Sequence, residues 1–362
     1  MSISHAPLDR AEAFCRRFDL ALPIAMAPMA GACPPPLAAA VANAGGLGAC
    51  GALMMSPEAI ARWASTFRDH SNGGFQMNLW IPERAPQRDE AQEALTRAFL
   101  ASWGPEPEPK DGDAKMPDFA RQCEAMLEAG PAVVSSIMGL YPPDYVRRLK
   151  ARGVSWWATV TTLAEARAAQ EAGADVIVAQ GMEAGGHRGA FDAARAEAAM
   201  VGLLALLPAV ADAVTVPVVA SGGIADGRGV AAALILGASA VQIGTGFLRA
   251  PEAQIHPAWA AALATAAPED TAVSRVFSGR PGRALATAYV RAAMAPGAPA
   301  PAPYPVQRGL TGPMRAAAAE AGDVDRMQAW AGQSAALAEA RPAGDLTRDW
   351  WAEARRLLGA QG

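Results

Sequence analysis

The stretch Gln180-Gly181-Met182-Glu183-Ala184-Gly185-Gly186-His187-Arg188-Gly189 sets one histidine among four glycines, directly after the apolar run Asp175 to Ala179. The chain has only four histidines, His5, His70, His187 and His256. A histidine just past the carboxyl end of a buried strand is placed for proton transfer or for orienting a polar ligand. The glycines around it let backbone come close to such a ligand. A histidine that only caps or packs a loop is the competing reading, and the glycines weigh against it.

Two further turns carry the same kind of signal. Ser221-Gly222-Gly223-Ile224 precedes Asp226-Gly227-Arg228, which opens a helix, and Gln242-Ile243-Gly244-Thr245-Gly246 follows the next apolar run. Small residues leave backbone amides uncovered, and a helix amino terminus adds a favourable dipole, so an anion such as a phosphate is held well there. A pair of such turns after the last two strands of a parallel barrel is the recurrent phosphate site of that fold. Ala27-Pro28-Met29 forms a tight turn after an early strand, and the amides of Asn78 and Gln180 can both donate and accept toward a heterocycle edge. No P-loop or G-x-G-x-x-G turn is present. Gly45-Gly46-Leu47-Gly48 reads as a helix stop leading into a strand.

Positioning these residues requires alternating elements. Strand-like runs fall at Ile24–Ala27, Gly46–Ala49, Phe75–Leu79, Ala132–Ser135, Trp156–Val160, Val176–Ala179, Val218–Ala220 and Ala240–Ile243. Alanine-rich helical stretches separate them, among them Pro36–Asn43, Pro57–Phe67, Phe119–Glu128, Pro143–Lys150, Leu163–Ala172 and Gly227–Leu236. Ser56 and Thr162 stand where they would cap. Eight strands with intervening helices give an α/β fold, a (β/α)8 TIM barrel, with a doubly wound open sheet as the alternative. The barrel is expected over residues 1–295. An insertion of about 81–116, rich in Pro and charge, follows the third strand and reads as a lid or as a solvated excursion. The stretch from Ala295 to Pro305 reads as linker-like, and residues 296–362 as a helical carboxyl-terminal segment packed on the barrel, with Trp330, Trp350 and Trp351 available for docking.

Composition narrows the classes. Thirty-one basic against 35 acidic residues, net −4, with no basic stripe, leave no nucleic-acid partner expected. Cys15, Cys33, Cys50 and Cys123 have no metal-ligand spacing, so no metal is expected and they read as buried thiols of a cytoplasmic protein. The apolar stretch Leu203 to Ala220 is broken by Pro208, Asp212 and Pro217, so no membrane span is expected. A homodimer stays open, since the tryptophan-bearing tail could cover the barrel or a partner subunit.

These residues resemble the nitronate monooxygenases, formerly called 2-nitropropane dioxygenases. The matching pieces are Pro23–Gly31 with Leu37–Gly48, Phe75–Leu79, Ala174–Gly189, Pro217–Arg228, Gly237–Leu248, Phe277–Arg283 and the tail from Tyr304-Pro305 through Ala331-Gly332-Gln333. The resemblance implies an FMN-bearing barrel that oxidises alkyl nitronates, such as propionate 3-nitronate, with O2 to a carbonyl compound and nitrite. It puts the flavin phosphate on Ser221, Gly222, Gly223, Gln242, Ile243, Gly244 and Thr245. The ring would lie by Ala27, Pro28 and Met29, with Asn78 and Gln180 on its polar edge and Gly185 and Gly186 close by. His187 would face the substrate, either taking a proton from a nitroalkane or hydrogen-bonding a nitronate. Arg188 would pair with an anion or bond loop carbonyls at the surface, while Ser278 and Arg280, after the last strand, read as structural. Ile137 stands where many members carry histidine, and Thr287 where asparagine is expected. The rival on the same barrel is an FMN-dependent NAD(P)H reductase of enoyl-carrier thioesters or quinones.

Overall fold

Residues 6–359 are described by a computed structural model; His5 lies outside them. Eight parallel strands form one sheet: β1 (Ile24–Met26), β2 (Gly48–Gly51), β3 (Phe75–Trp80), β4 (Val133–Ile137), β5 (Ser155–Val160), β6 (Val176–Gln180), β8 (Val218–Ser221) and β9 (Ala240–Ile243). A short β7 (Gly186–His187) lies between β6 and β8 in the chain. The strand order is β1-β9-β8-β6-β5-β4-β3-β2. The two ends of that order meet, with Ala25 bridged to Leu47 and the Met26 amide donating to the Leu47 carbonyl at 2.8 Å. The sheet is therefore a closed barrel, and the doubly wound alternative is excluded. Strands buried on both faces explain why they read as near-continuous apolar runs rather than alternating ones. Most expected strands agree to within one or two residues; β2 starts two residues later, because Gly46 completes the bend out of the preceding helix and Leu47 forms only an isolated bridge to β1.

The amino-terminal end of the barrel is plugged. Phe14 and Phe18, on the helix Pro7–Phe18, pack on Trp157 at 5.6 and 5.2 Å between ring centroids, above Leu47, Val133, Val176 and Ala240. Among the described residues the barrel opens at its carboxyl end.

Elements after the barrel build on that open end. The strands β10 (Thr271–Ser274) and β11 (Gly282–Leu285) form an antiparallel sheet with β7 in the order β10-β11-β7. The sequence reading had no strands here. Residues 81–116 form a helix, Glu90–Leu100, and a 3-10 turn, Pro109–Asp113. Leu100 is fully buried with Val276, Phe277, Val306 and Met314, so this insertion is anchored to the tail rather than solvated. The stretch expected as a linker is pinned at one point. Ala302 is buried and its amide donates to Gln307 Oε1 at 2.9 Å. Farther on, the helix Ala343–Leu357 lies against Gly227–Ile235.

Candidate active site

A cavity of about 800 Å³ opens at the carboxyl ends of the barrel strands. Every residue the sequence nominated lines it except Ile243. That side chain points into the core, and its carbonyl accepts the Ala27 amide at 2.8 Å, so Ile243 holds the β1 turn rather than facing a ligand. After β8, Gly222 and Gly223 have φ of +113° and +69°, which only glycine adopts without strain. A Cβ at Gly222 would lie 3.1 Å from the Ala184 nitrogen, so the β6 and β8 loops press together here. Gly244 leads into the 3-10 turn Thr245–Phe247. The Thr245 hydroxyl accepts the Gly332 amide at 2.9 Å, tying the cradle to the tail.

Asn78 Nδ2 donates to Ser135 Oγ at 3.0 Å, which fixes the amide at the end of β3. Gln180 lines the cavity and also braces a loop. Its Nε2 donates to the His187 carbonyl at 3.1 Å and its Oε1 accepts the Gly189 amide at 2.8 Å, so both ends brace the loop that carries the histidine.

His187 sits on β7, paired with Gly282 of β11. Its Nε2 is 2.7 Å from Ser278 Oγ. The imidazole is flanked by Trp80, 4.5 Å away between centroids at 70°, and by Trp330, 4.6 Å away at 57°. Burial first, then the positive charges of Arg280 and Arg308, push its pKa down to about 3. The ring is therefore neutral at any ordinary pH.

Ser278 is thus at the site, and the purely structural reading of it is corrected. The loop that presents it is strictly shaped. Gly279 has φ of +86°, and a Cβ there would stand 2.5 Å from the Ala302 carbonyl oxygen. Arg280 next to it is buried and paired with Glu83 at 2.9 Å. Arg188 is buried rather than at the surface, is not among the lining residues, and donates to the Gln180 carbonyl at 2.7 Å. Ile137 lines the cavity, while Thr287 caps the helix Ala288–Ala293.

Sequence reasoning missed Trp80, Arg308 and Arg315 and gave Ser278 and Trp330 only structural parts, yet all five line the cavity. Trp80 was within reach, because residues two apart on a strand share a face and Asn78 was already placed. The others arrive through tertiary packing of the tail and of β11, which no local pattern announces. Among the lining residues Arg308 and Arg315 carry the only formal charges, and none is a carboxylate.

A closed parallel barrel with two glycine turns after its last two strands, and a neutral histidine over the same cavity, defines an α/β barrel with one cavity at the carboxyl ends of its strands. The nitronate monooxygenase family profile matches residues 14–353. The chain belongs to the nitronate monooxygenase family, whose members are oxidoreductases. It is 40% identical to the nitronate monooxygenase of Pseudomonas aeruginosa over 92% of this chain and 97% of that one. It is 38% identical to that of Paraburkholderia phytofirmans over 90% of each. Among solved structures, nitroalkane oxidase from Streptomyces ansochromogenes superposes with a TM-score of 0.86 at 37% identity, covering 96% of this chain and 99% of that one. FabK from Thermotoga maritima gives 0.74 at 30% identity, over 96% and 97%.

Proposed function

We propose that this chain oxidises alkyl nitronates with dioxygen to nitrite and a carbonyl compound, with FMN held in the barrel mouth. The observation that carries the proposal is one cavity shared by the glycine cradle of β8 and β9 and by His187. The cradle suits the flavin phosphate. Among the described residues the amides of Gly222, Gly223 and Thr245 donate to no backbone carbonyl, and Ser221 lines the same space. Side chains at residues 222 and 223 would crowd Ala184 and Glu183, so the backbone must stay bare for the phosphate to reach it. A cavity of this size suits a cofactor together with a small substrate. Bound FMN would supply the redox chemistry, accepting electrons from the nitronate that dioxygen finally consumes.

The rest is the work of this chain's own groups. A histidine whose conjugate acid has a pKa of about 3 is a poor base for a carbon acid, since proton transfer is efficient when the two pKa values are matched. Of the two roles implied for His187, hydrogen bonding to an already anionic nitronate is therefore favoured. Ser278 Oγ accepts the Arg280 amide at 3.3 Å and lies nearer to His187 Nε2, at 2.7 Å, than to the Arg280 carbonyl, at 3.2 Å. The Ser278 hydroxyl lies between His187 Nε2 and the Arg280 carbonyl, so where its proton goes sets which imidazole nitrogen carries the ring proton. Trp80 and Trp330 pack on the ring and hold it in place.

The test is oxygen uptake by the FMN-loaded protein on addition of propionate 3-nitronate, with nitrite assayed in the same vessel. Uptake with matching nitrite and no need for NAD(P)H is expected. No uptake, with the flavin bleached anaerobically by NADH or NADPH, would replace the proposal with the reductase reading.

A further inference from the structure

Beneath the cavity, inside the barrel, a glutamine keeps half of its amide unpaired. Gln76 lies on β3 two residues before Asn78, so the two share a face, with Gln76 one layer deeper and fully buried. Its Nε2 donates to the Met26 carbonyl at 2.8 Å and to Gln242 Oε1 at 3.0 Å. Its Oε1 is buried with no partner. An orphaned acceptor costs stability that an apolar side chain of the same length would not. What the amide contributes in return is the pair of bonds it donates.

Those bonds decide which way a second amide faces. The Met26 carbonyl can only accept, so the end of Gln76 that meets it is the NH2. The other hydrogen of that NH2 goes to Gln242, so the atom Gln242 turns toward Gln76 is its oxygen. The Gln242 NH2 is thereby turned away from the core. Among the described residues it donates to nothing, yet it is not one of the polar atoms sealed in the interior, and its residue lines the cavity. It opens into the cavity as a free donor.

The other amides that the barrel strands bring to the cavity are engaged. Asn78 spends its Nδ2 on Ser135 Oγ, and Gln180 spends both ends on the His187 loop. In the closed barrel β3 and β9 are separated by β1 and β2, so side chains from these two strands meet only in the interior. The Gln242 amide therefore lies over the barrel axis, apart from the backbone amides of the glycine cradle in the loops. Reduction of a flavin leaves negative charge on its ring, and a donor held against the ring favours that form.

We propose that Gln76 is a positioning residue, which holds the Gln242 amide with its NH2 toward the flavin ring and so raises the reduction potential of the bound cofactor. The proposal rests on the flavin reading above and not on the nitronate as substrate.

The test measures the midpoint potential of the FMN-loaded protein against reference dyes in the wild type, Gln76→Met, Gln242→Met and the double variant. Gln76→Met should weaken the preference for reduced over oxidised flavin about tenfold, which is about 30 mV for a two-electron couple. Gln242→Met should move the potential the same way by at least as much. Adding Gln76→Met to it should change nothing further, because Gln76 acts through Gln242. A merely structural glutamine would lower the thermal midpoint and leave the potential alone. Flavin absorbance reports folding and occupancy, and Gln76→Leu takes the place of Gln76→Met should that variant not fold. An unmoved potential in Gln76→Met, or the same shift from it whether or not Gln242 is present, overturns the proposal. Turnover does not enter the measurement, so a protein that oxidises no nitronate yet shows these shifts loses the nitronate reading and keeps this one. A wild type that takes up no FMN removes the flavin reading and the positioning role together.

Discussion

The neutrality of His187 makes demands on its neighbours that can be measured. Ser278→Ala removes the hydroxyl that fixes the Nε2 side of the ring, and the buried Arg280 amide loses an acceptor with it. A drop in kcat/KM of about tenfold is expected, worth about 1.4 kcal/mol. The flavin spectrum should be unchanged and Ser278→Thr should restore part of the rate; a wild-type rate in the alanine variant would remove Ser278 from the mechanism. The pH dependence has a definite sign. Folding depresses the His187 pKa from 6.5 to about 3, so below pH 6.5 the unfolded chain takes up a proton that the folded one refuses. Stability at this residue is thus lost as pH falls from 6.5 toward 3. Between pH 7.5 and 5.5 the wild type should lose about 1 kcal/mol more than His187→Gln in urea unfolding, and equal losses would mean that the imidazole is solvated after all. At this scale the sequence was informative wherever backbone dictated residue type. The glycines of the cradle were legible because only glycine takes those φ values, and His187 because it stood among them. Arg308 and Arg315 were not, since a lone arginine on a helix carries no mark of what it will face.

The elements show a similar division. The eight barrel strands were legible because each is buried on both faces, and the helices because Ser56 and Thr162 cap where expected, accepting from the amides of Ala59 and Glu165. The β10-β11-β7 sheet was not, because two residues of β7 make no periodic pattern, and their partners come from nearly a hundred residues away. The docking of the insertion was equally hidden, although it is tight enough to test. A Cβ at Gly309 would come within 1.9 Å of the Asp111 carbonyl oxygen, so the helix Val306–Leu310 touches the 3-10 turn of the insertion backbone to backbone. Gly309→Ala must push the two apart. A loss of about 1–3 kcal/mol is expected, the range for overpacking, read as a lower thermal midpoint. Limited proteolysis should find new cleavage within 81–116, and an unaltered digest would mean that the insertion does not depend on that contact.

The molecule as a whole is a barrel closed over by its own tail, and the tail reaches the glycine cradle from beneath as well as the cavity from above. On the helix Ala343–Leu357, Trp350 packs on Phe247 at 4.9 Å between ring centroids and stands 3.1 Å from where a Cβ of Gly246 would be. One turn farther on, the Glu353 carboxylate accepts the Gly227 amide at 3.0 Å, at the amino terminus of the helix that follows the Gly222-Gly223 turn. The last helix therefore supports both turns of the cradle without touching the cavity itself. Trp350→Ala would leave a hole under Gly246 and Phe247, costing about 3–5 kcal/mol by the usual scale for a buried tryptophan. Because the hole lies under the Thr245–Phe247 turn, its effect should not stop at global stability. Flavin should leave the variant at a temperature below that of unfolding, seen as flavin fluorescence rising before the circular dichroism falls. Leu207→Ala, also fully buried but on the helix Leu203–Ala211 away from that turn, supplies the control. In that variant the two signals should move down together. If Trp350→Ala also keeps them together, the tail helix stabilises the barrel at large, and the cradle depends on its own turns alone.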